Sequence, residues 1–178
     1  MHMSDTREIK AEPAAVYAAL LDPEVLKACV SGAQEVTGNP SEGYEATVVQ
    51  KVGPVKATFK GTVNMSDMVE NERLTISGEG KGGAAGFAKG GAVVTLSAGE
   101  NGGTVLAYDV DAKVGGKLAQ LGSRLIDGFA KKMADQFFAS LQEHLEGPAE
   151  PEAEEEPEAV GEPAEKKKGW LGRLTGRS

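Results

Sequence analysis

The chain has 178 residues, 40% of them hydrophobic, and a formal net charge of −8. That length fits one ordinary domain with a real core plus an extension, and the acidic charge argues against nucleic acid as a partner, because such binding depends on Lys and Arg contacts to phosphate. The single cysteine, Cys29, excludes an internal disulfide and fits a reducing cytoplasm. We see no apolar run near the roughly 20 residues that span a bilayer, and we expect no signal peptide.

The N-terminal part predicts one strand followed by two short helices. Pro13 is tolerated in the first turn of a helix, and Val16 and Leu20 then share one apolar side. Asp22-Pro23 ends this helix and opens the second one, since the residue before a proline avoids the helical conformation.

From Tyr44 to Gly115 the apolar residues recur at every second position, the period of a half-buried strand. Turn signals such as Gly53-Pro54 and Gly82-Gly83 separate five such runs. This pattern predicts an antiparallel meander. Its alternating apolar positions are Tyr44, Ala46, Val48 and Val52, then Ala57, Phe59, Val63 and Met65, then Leu74 and Ile76, then Val94 and Leu96, and finally Leu106, Tyr108, Val110, Ala112 and Val114.

The period becomes helical between about Lys117 and Leu145, and Gly147-Pro148 ends the segment. One continuous helix of that length would span roughly 40 Å and could lie across a curved sheet. Its apolar stripe consists of Leu118, Leu121, Leu125, Phe129, Met133, Phe137, Leu141 and Leu145. A twisted sheet curved around such a helix encloses a space, so the order of elements predicts a container.

Four segments carry a family resemblance: PAAVYAALLDPEVLKACVSGA, VGPVKATFKGTV, LTISGEGKGGAAGFAKGGAVVTL and YDVDAKVGGKLAQLGSRLIDGFAKKMADQFF. Over residues 3–145 the chain resembles the CoxG proteins, a subunit family of carbon monoxide dehydrogenase within the START and Bet v 1-like (SRPBCC) superfamily. Many relatives have Pro-Gly where this chain has Ser31-Gly32, a difference confined to a loop. The resemblance implies an α+β helix-grip fold for residues 1–146, with an antiparallel sheet wrapped around a long C-terminal helix and an apolar cavity between them.

The resemblance also implies an accessory protein rather than an enzyme. Members of the family accompany molybdenum-containing carbon monoxide dehydrogenases, or related molybdenum hydroxylases, and help to hold them at the membrane. The superfamily commonly binds a large apolar molecule, and these dehydrogenases pass electrons to quinones. The resulting hypothesis is a carried respiratory quinone, menaquinone or ubiquinone, with no covalently bound cofactor. The alternatives are a recruitment adaptor whose interior is filled by its own side chains, and a hydrolase or cyclase of the same superfamily.

Candidate ligand contacts come from the helix stripe and from the sheet positions that face it. In a helix-grip fold the same residue can belong both to the core and to the wall of the ligand cavity, because the long helix closes that cavity. Aliphatic walls suit an isoprenoid or acyl chain. The predicted ligand-binding residues are Phe59, Val63, Phe87, Leu106, Tyr108, Leu118, Leu121, Leu125 and Phe129, whereas Phe137, Leu141 and Leu145 are expected to be packing residues.

Residues 78–91 contain seven glycines and one match to G-x-G-x-x-G. A dinucleotide site requires a helix after this motif, but an alternating strand pattern resumes at Ala92. Glycines within strands permit bulges and sharp curvature, and small residues on a concave face enlarge the space beside it. The alternative is a mobile entrance loop, in which Phe87 and Lys89 would touch a ligand or a partner.

Catalytic chemistry finds little support in the sequence. Cys29 has no histidine nearby, and His144 falls near the end of the long helix. Asp109 and Asp111 alternate with apolar strand positions, which favours solvated charges on the outer face over a general acid/base pair. We find no cluster of His and Cys with metal-ligand spacing, so we expect neither an enzyme nor a metal site.

Residues 147–165 differ from the rest of the chain in composition. They hold eight glutamates and four prolines without a basic residue, and carry a charge of −8 against −5 for residues 1–146. Such a composition predicts a disordered acidic linker. Nineteen flexible residues have a root-mean-square span of about 25 Å, which repulsion among the glutamates extends.

Residues 166–178 carry a charge of +5 and one tryptophan. Trp170, Leu171 and Leu174 would share one side of a helix, and this amphipathic pattern favours an anionic membrane as the target. We therefore expect a peripheral protein at the cytoplasmic face of the cell membrane; the alternative is a solvated basic tail that offsets the acidic linker. The predicted membrane-binding residues are Lys166, Lys167, Lys168, Trp170, Leu171, Arg173, Leu174 and Arg177.

Overall fold

The computed structural model describes residues 1–147. Its elements are β1 (His2–Ile9), α1 (Pro13–Leu21), α2 (Pro23–Cys29), β2 (Ala33–Asn39), β3 (Gly43–Val52), β4 (Val55–Val69), β5 (Arg73–Lys81), β6 (Phe87–Ala98), β7 (Thr104–Gly115), α3 (Lys117–Gln120) and α4 (Ser123–Glu146). Within this part of the chain, no helix combines the length and the apolar character that crossing a bilayer demands.

The strands form one antiparallel sheet in the order β1-β7-β6-β5-β4-β3-β2. The predicted meander is confirmed, and β1 joins its far edge by pairing with β7. The sequence pattern did not predict β2. Only Val36 of its seven residues is buried, because β2 is an edge strand with a register shift between Ala33 and Glu35.

The two predicted short helices are confirmed at Pro13 and Pro23. Asp22 ends the first helix and caps the second one, since its carboxylate accepts a hydrogen bond from the Glu24 backbone N–H at 2.9 Å. A side-chain oxygen at this position satisfies one of the free N–H groups of the first helical turn.

The prediction of one helix from Lys117 to Leu145 is wrong in one respect. Gly122 has φ +91°, a conformation that favours glycine, and it separates α3 from α4. The helix restarts at Ser123 with a new phase, so that Ile126 is buried and Leu125 is 39% exposed. The phase shift also buries Phe138 more deeply than the predicted Phe137. At its other end α4 stops before Gly147, as predicted.

Two apolar clusters lie between the sheet and the helices. The larger one, which we call the packed end, gathers residues from α1, α2, the sheet and the C-terminal half of α4: Ile9, Val16, Leu20, Val25, Leu74, Leu106, Tyr108, Phe138 and Leu141 among others. The smaller one, which we call the mouth end, consists of Val52, Leu118 and Ile126, with Val55, Phe59, Val114, Leu121 and Phe129 packed against them.

Candidate functional site

Small residues occupy the helix-facing side of the sheet between the packed end and the mouth end. They alternate along the strands with outward-facing residues and lie in register with one another, as Gly78 does with Gly90 and Gly80 with Ala88. We call this set the small-residue band: Ala46, Gly61, Gly78, Gly80, Ala88, Gly90, Ala92 and Ala112. These residues project little beyond the backbone, so this part of the sheet presents few side-chain atoms towards α4.

The glycines of the band differ in the space around them. A Cβ added at Gly78 would lie 2.8 Å from the carbonyl oxygen of Thr62, so the close approach of the strands requires glycine there. A Cβ at Gly80 would meet nothing nearer than the Cβ of Phe59 at 3.9 Å. The glycine-rich segment is therefore mostly strand, joined by a 3-10 turn at Gly83–Ala85, rather than a dinucleotide-binding loop.

The mouth end brings together four of the nine predicted ligand residues. Phe59, Leu118, Leu121 and Phe129 belong to one cluster, and Leu125 lies at its rim beside the β3–β4 turn. A Cβ added at Gly53 in that turn would be 3.1 Å from Leu125 Cδ2. The result is an apolar wall whose outer edge reaches solvent.

The structure distributes the other four predicted ligand residues elsewhere. Leu106 and Tyr108 belong to the packed end, and Val63 lies against Gly78 in the small-residue band. Phe87 is on the opposite face of the sheet, 41% exposed. This placement follows from the period of two, since the next residue, Ala88, faces α4.

An ion pair that the sequence pattern did not predict joins β1 to α4. Arg7 Nη2 donates to the carboxylate of Asp135, and Lys131 Nζ donates to the other oxygen of that carboxylate at 3.3 Å. The hydrogen bond with Asp135 raises the pKa of Arg7, and the bond from Arg7 is the main reason that the pKa of Asp135 is lowered. The only signal for this pair in the sequence is a charged residue at an inward-facing position of β1.

Aromatic rings support the same ion pair. The Arg7 guanidinium lies 5.1 Å from the ring centroid of Phe138, and Tyr108 stacks on that ring with centroids 5.1 Å apart. Arg7 Nε is buried and has no hydrogen-bond partner among residues 1–147. The face of an aromatic ring attracts a cation, which offsets part of the cost of this burial. We interpret the group as a structural clasp of the packed end.

Two cavities are described within residues 1–147, and neither is the predicted apolar chamber. The larger has a volume of about 460 Å³ on the sheet face turned away from α4, and is lined by Glu35, Thr37, Glu45, Ala46, Thr47, Lys60, Gly61, Thr62, Glu79 and Lys81. The smaller, about 220 Å³, lies between β1 and α4 and is lined by Met1, His2, Met3, Ser4, Asp5, Tyr108, Asp127 and Lys131. Polar side chains dominate the lining of the larger cavity, whereas the smaller one also has Met1, Met3 and Tyr108 in its walls.

The match to known families covers nearly the whole described part of the chain. The family model of the CoxG subunit of carbon monoxide dehydrogenase matches residues 6–146. The chain belongs to the CoxG family. A search of curated proteins finds no match.

Solved structures similar to this CoxG-family chain confirm the α+β, START-like fold. A conserved protein from Geobacillus kaustophilus is 26% identical with a TM-score of 0.77, covering 82% of this chain and 95% of that one. A protein from Thermus thermophilus is 17% identical with a TM-score of 0.64, covering 84% and 100%. A START superfamily protein from Mycobacterium smegmatis is 13% identical with a TM-score of 0.62, covering 83% and 99%.

Membership of the CoxG family suggests an accessory role beside carbon monoxide dehydrogenase and an association with that enzyme. Proteins with the CoxG sequence or the START-like fold are generally non-catalytic binding or accessory proteins. The fold accords with such a role, because the side chains that meet between the sheet and the helices at the mouth end are apolar.

The groups with possible catalytic or metal-binding chemistry lie on the outer face of the sheet or, for Cys29, within the packed end. Asp109 and Asp111 are exposed on the outer face of β7, as predicted, and His2 Nδ1 lies 3.0 Å from Asp111 Oδ1. That hydrogen bond, and then the charge of Asp109, raise the pKa of His2. The three ligand atoms lie within 4.8 Å of one another, a spacing compatible with a metal ion, but all three residues are exposed, and exposed acidic groups of this kind are common without an ion. Cys29 is buried, and its burial raises the pKa of the thiol.

Two of the predicted segments cannot be compared with the structure. The linker, after its first residue Gly147, and the membrane-binding tip at residues 166–178 lie outside the described residues.

Proposed function

We propose that this protein is a non-catalytic quinone carrier at the cytoplasmic face of the membrane. It binds menaquinone or ubiquinone between the sheet and α4, and moves this ligand between the bilayer and a molybdenum-containing carbon monoxide dehydrogenase. The tip at residues 166–178 tethers it to anionic lipid. The observation that carries the proposal is the small-residue band beside the apolar wall of the mouth end.

The small-residue band lowers the cost of opening a space inside the protein. A closely packed interior resists insertion, because large side chains must leave their rotamers to make room. The band contains only glycine and alanine, so it has no large side chains that would have to move. At Gly80 the nearest atom to an added Cβ is the Cβ of Phe59, 3.9 Å away. An isoprenoid chain is narrow and apolar, which suits a strip of this kind bounded by Phe59 and Val114.

The mouth end provides the route to that strip. Leu125 is 39% exposed at its rim, and Leu118, Leu121 and Phe129 continue the apolar surface inward. An apolar tail would meet hydrocarbon along this whole path. Each buried methylene group of the tail contributes roughly 0.8 kcal/mol to binding before the costs of ordering it are subtracted.

Organic extraction of the full-length protein, purified from a host that makes quinones, tests the proposal when followed by mass spectrometry. The expected result is one quinone per chain, or recovery of that ratio when quinone is added from detergent. An extract without quinone, together with no binding of added quinone, would refute the carrier.

The second candidate is a recruitment adaptor that carries no ligand. One observation favours it: the cavity of about 460 Å³ lies on the sheet face turned away from α4 and is lined mainly by polar side chains. An adaptor would bring the dehydrogenase to vesicles whether or not the interior can open. If the protein is only an adaptor, substitutions in the small-residue band should therefore leave co-sedimentation of the enzyme with vesicles unchanged. They should also leave electron transfer to quinone unchanged.

A further inference from the structure

Three pairs of lysines lie directly opposite each other on neighbouring strands, on the sheet face turned away from α4. Lys51 is paired with Lys56, Lys60 with Lys81, and Lys89 with Lys113. All six residues are exposed. We call this set, together with the exposed ring of Phe87, the lysine face.

Such an arrangement works against the stability of the sheet. Like charges directly opposite each other in an antiparallel pair are destabilising. Among residues 1–147 no carboxylate lies within ion-pair distance of any of the six lysines. The nearest acidic residue in the register is Glu79, opposite Lys89, while Glu35 and Glu45 lie further along the polar cavity. Six unpaired lysines concentrated on a domain with a net charge of −5 indicate a surface for an anionic partner.

Phe87 adds an apolar anchor to this surface. It lies opposite Lys81 in the register and two residues before Lys89, and it is 41% exposed. Its ring lies over bare backbone, since a Cβ added at Gly115 would be 2.2 Å from Phe87 Cε1. An exposed aromatic ring surrounded by ammonium groups has the composition of surfaces that bind the interface of anionic membranes.

The lysine face and the rim of the mouth share one end of the molecule. Lys51 and Lys56 flank the β3–β4 turn, and Gly53 in that turn lies against Leu125. Exposed apolar side chains therefore stand on both sides of the lysines. A bilayer interface accommodates both kinds of group, whereas an acidic protein surface would account for the lysines alone.

We infer that the lysine face docks on an anionic bilayer and thereby holds the mouth end against the lipid. The inference rests on the proposed carrier function, to which it adds a second membrane contact on the folded domain. Two linked contacts bind more tightly than either contact alone.

Vesicle flotation of full-length protein tests the inference. The face variant is Lys81→Gln/Lys89→Gln/Lys113→Gln. The matched control is Lys27→Gln/Arg73→Gln/Lys132→Gln, which removes the same charge at exposed positions elsewhere. Both are made in a background with Trp170→Ser and Leu171→Ser, so that the tip contributes less. On phosphatidylcholine vesicles containing phosphatidylglycerol, the face variant should lose roughly 10-fold or more of its partitioning and the control about 2-fold or less.

Equal losses in the two variants would show that only net charge matters, and would overturn the inference. So would a face variant that binds vesicles normally but no longer binds the dehydrogenase, because the surface would then belong to a protein partner. Phe87→Ser should weaken binding most visibly at high salt, where the lysine contribution is screened.

Quinone extraction from the same proteins separates this inference from the proposed function. A face variant that retains its quinone and its thermal melting temperature, but does not bind vesicles, supports both. A wild-type protein without quinone would refute the carrier, and the difference between face and control variants would still decide the docking surface.

Discussion

The packed end and the mouth end are built from the same sheet and the same helix, but in opposite ways. At the packed end two additional helices cover the sheet, and Leu106 and Leu141 are fully buried. At the mouth end Leu125 is 39% exposed, and the neighbouring sheet positions carry glycine and alanine. Large buried side chains fill the packed end, whereas the band beside the mouth end carries only glycine and alanine on its helix-facing side. We propose on this basis that stability depends on one end of α4 and ligand access on the other.

Side-chain hydrogen bonds to the backbone reinforce the packed end. The Tyr44 hydroxyl donates to the Leu21 carbonyl at 2.5 Å, and Thr104 Oγ1 donates to the Ala11 carbonyl at 2.6 Å. Each bond ties the segment around α1 to the sheet. Neither bond involves a residue of the mouth end.

The largest expected effect is the loss of stability in Leu141→Ala. Leu141 has 0% exposure, and removal of a fully buried leucine side chain costs about 2–5 kcal/mol. Leu125→Ala, the matched change at the rim, should cost less than about 1 kcal/mol, since its side chain is partly in water already. Urea unfolding of both variants measures the difference, and equal losses would contradict the division into two ends.

Filling the small-residue band should remove the ligand without unfolding the protein. Gly80→Val places a branched side chain in the open space beside Phe59, and we expect about a 10-fold loss of bound quinone, equivalent to about 1.4 kcal/mol. Its stability should change by about 1 kcal/mol or less, because valine suits a strand. The control is Ser77→Val, at an exposed position on the other face of β5. Quinone content unchanged in Gly80→Val would place the ligand elsewhere.

Tyr44→Phe should have the converse effect. It leaves the Leu21 carbonyl without its hydroxyl donor, and the free energy of unfolding should fall by about 1 kcal/mol. Quinone content should stay at the wild-type ratio, because Tyr44 ties the α1 segment rather than the mouth. A selective loss of quinone in this variant would show that the two ends are coupled.

Asp135→Asn should have the smallest effect, and one that depends on pH. Because its hydrogen bond from Arg7 lowers the pKa of Asp135 below the ordinary value of 3.8, the stabilisation is present above that value and is lost as pH falls through the lowered pKa. Wild type should therefore exceed Asp135→Asn in melting temperature at pH 7, and the gap should close in strongly acidic buffer. A gap that persists there would show that packing, rather than charge, explains it.

Much of the fold could be predicted because local patterns determine it. Alternation from Tyr44 to Val114 predicted the meander, and Pro13 and Pro23 marked the starts of two helices. The β2 strand was not predicted, because an edge strand with one buried residue shows no alternation of apolar and polar positions. The break between α3 and α4 at Gly122 was not predicted, because the apolar stripe continues on both sides of it. The glycine itself did indicate a helix end.

The candidate site was less predictable, because it depends on register between distant segments. Phe59 and Phe129 lie together at the mouth end, but the phase change after Gly122 moved Leu125 to the rim. Phe87 could have been assigned to the outer face by counting in twos from Val94. The lysine pairs could not have been found without the registers of three hairpins, which turn geometry sets.

Methyl NMR of the full-length protein, with and without a short-chain ubiquinone, locates the side chains that contact the quinone. We expect shifts of the Val114, Leu118 and Leu121 methyl signals, with Leu74 and Leu141 unchanged. Shifts centred on Leu74 and Leu141, or no shift anywhere at saturating quinone, would contradict the assignment of ligand access to the mouth end.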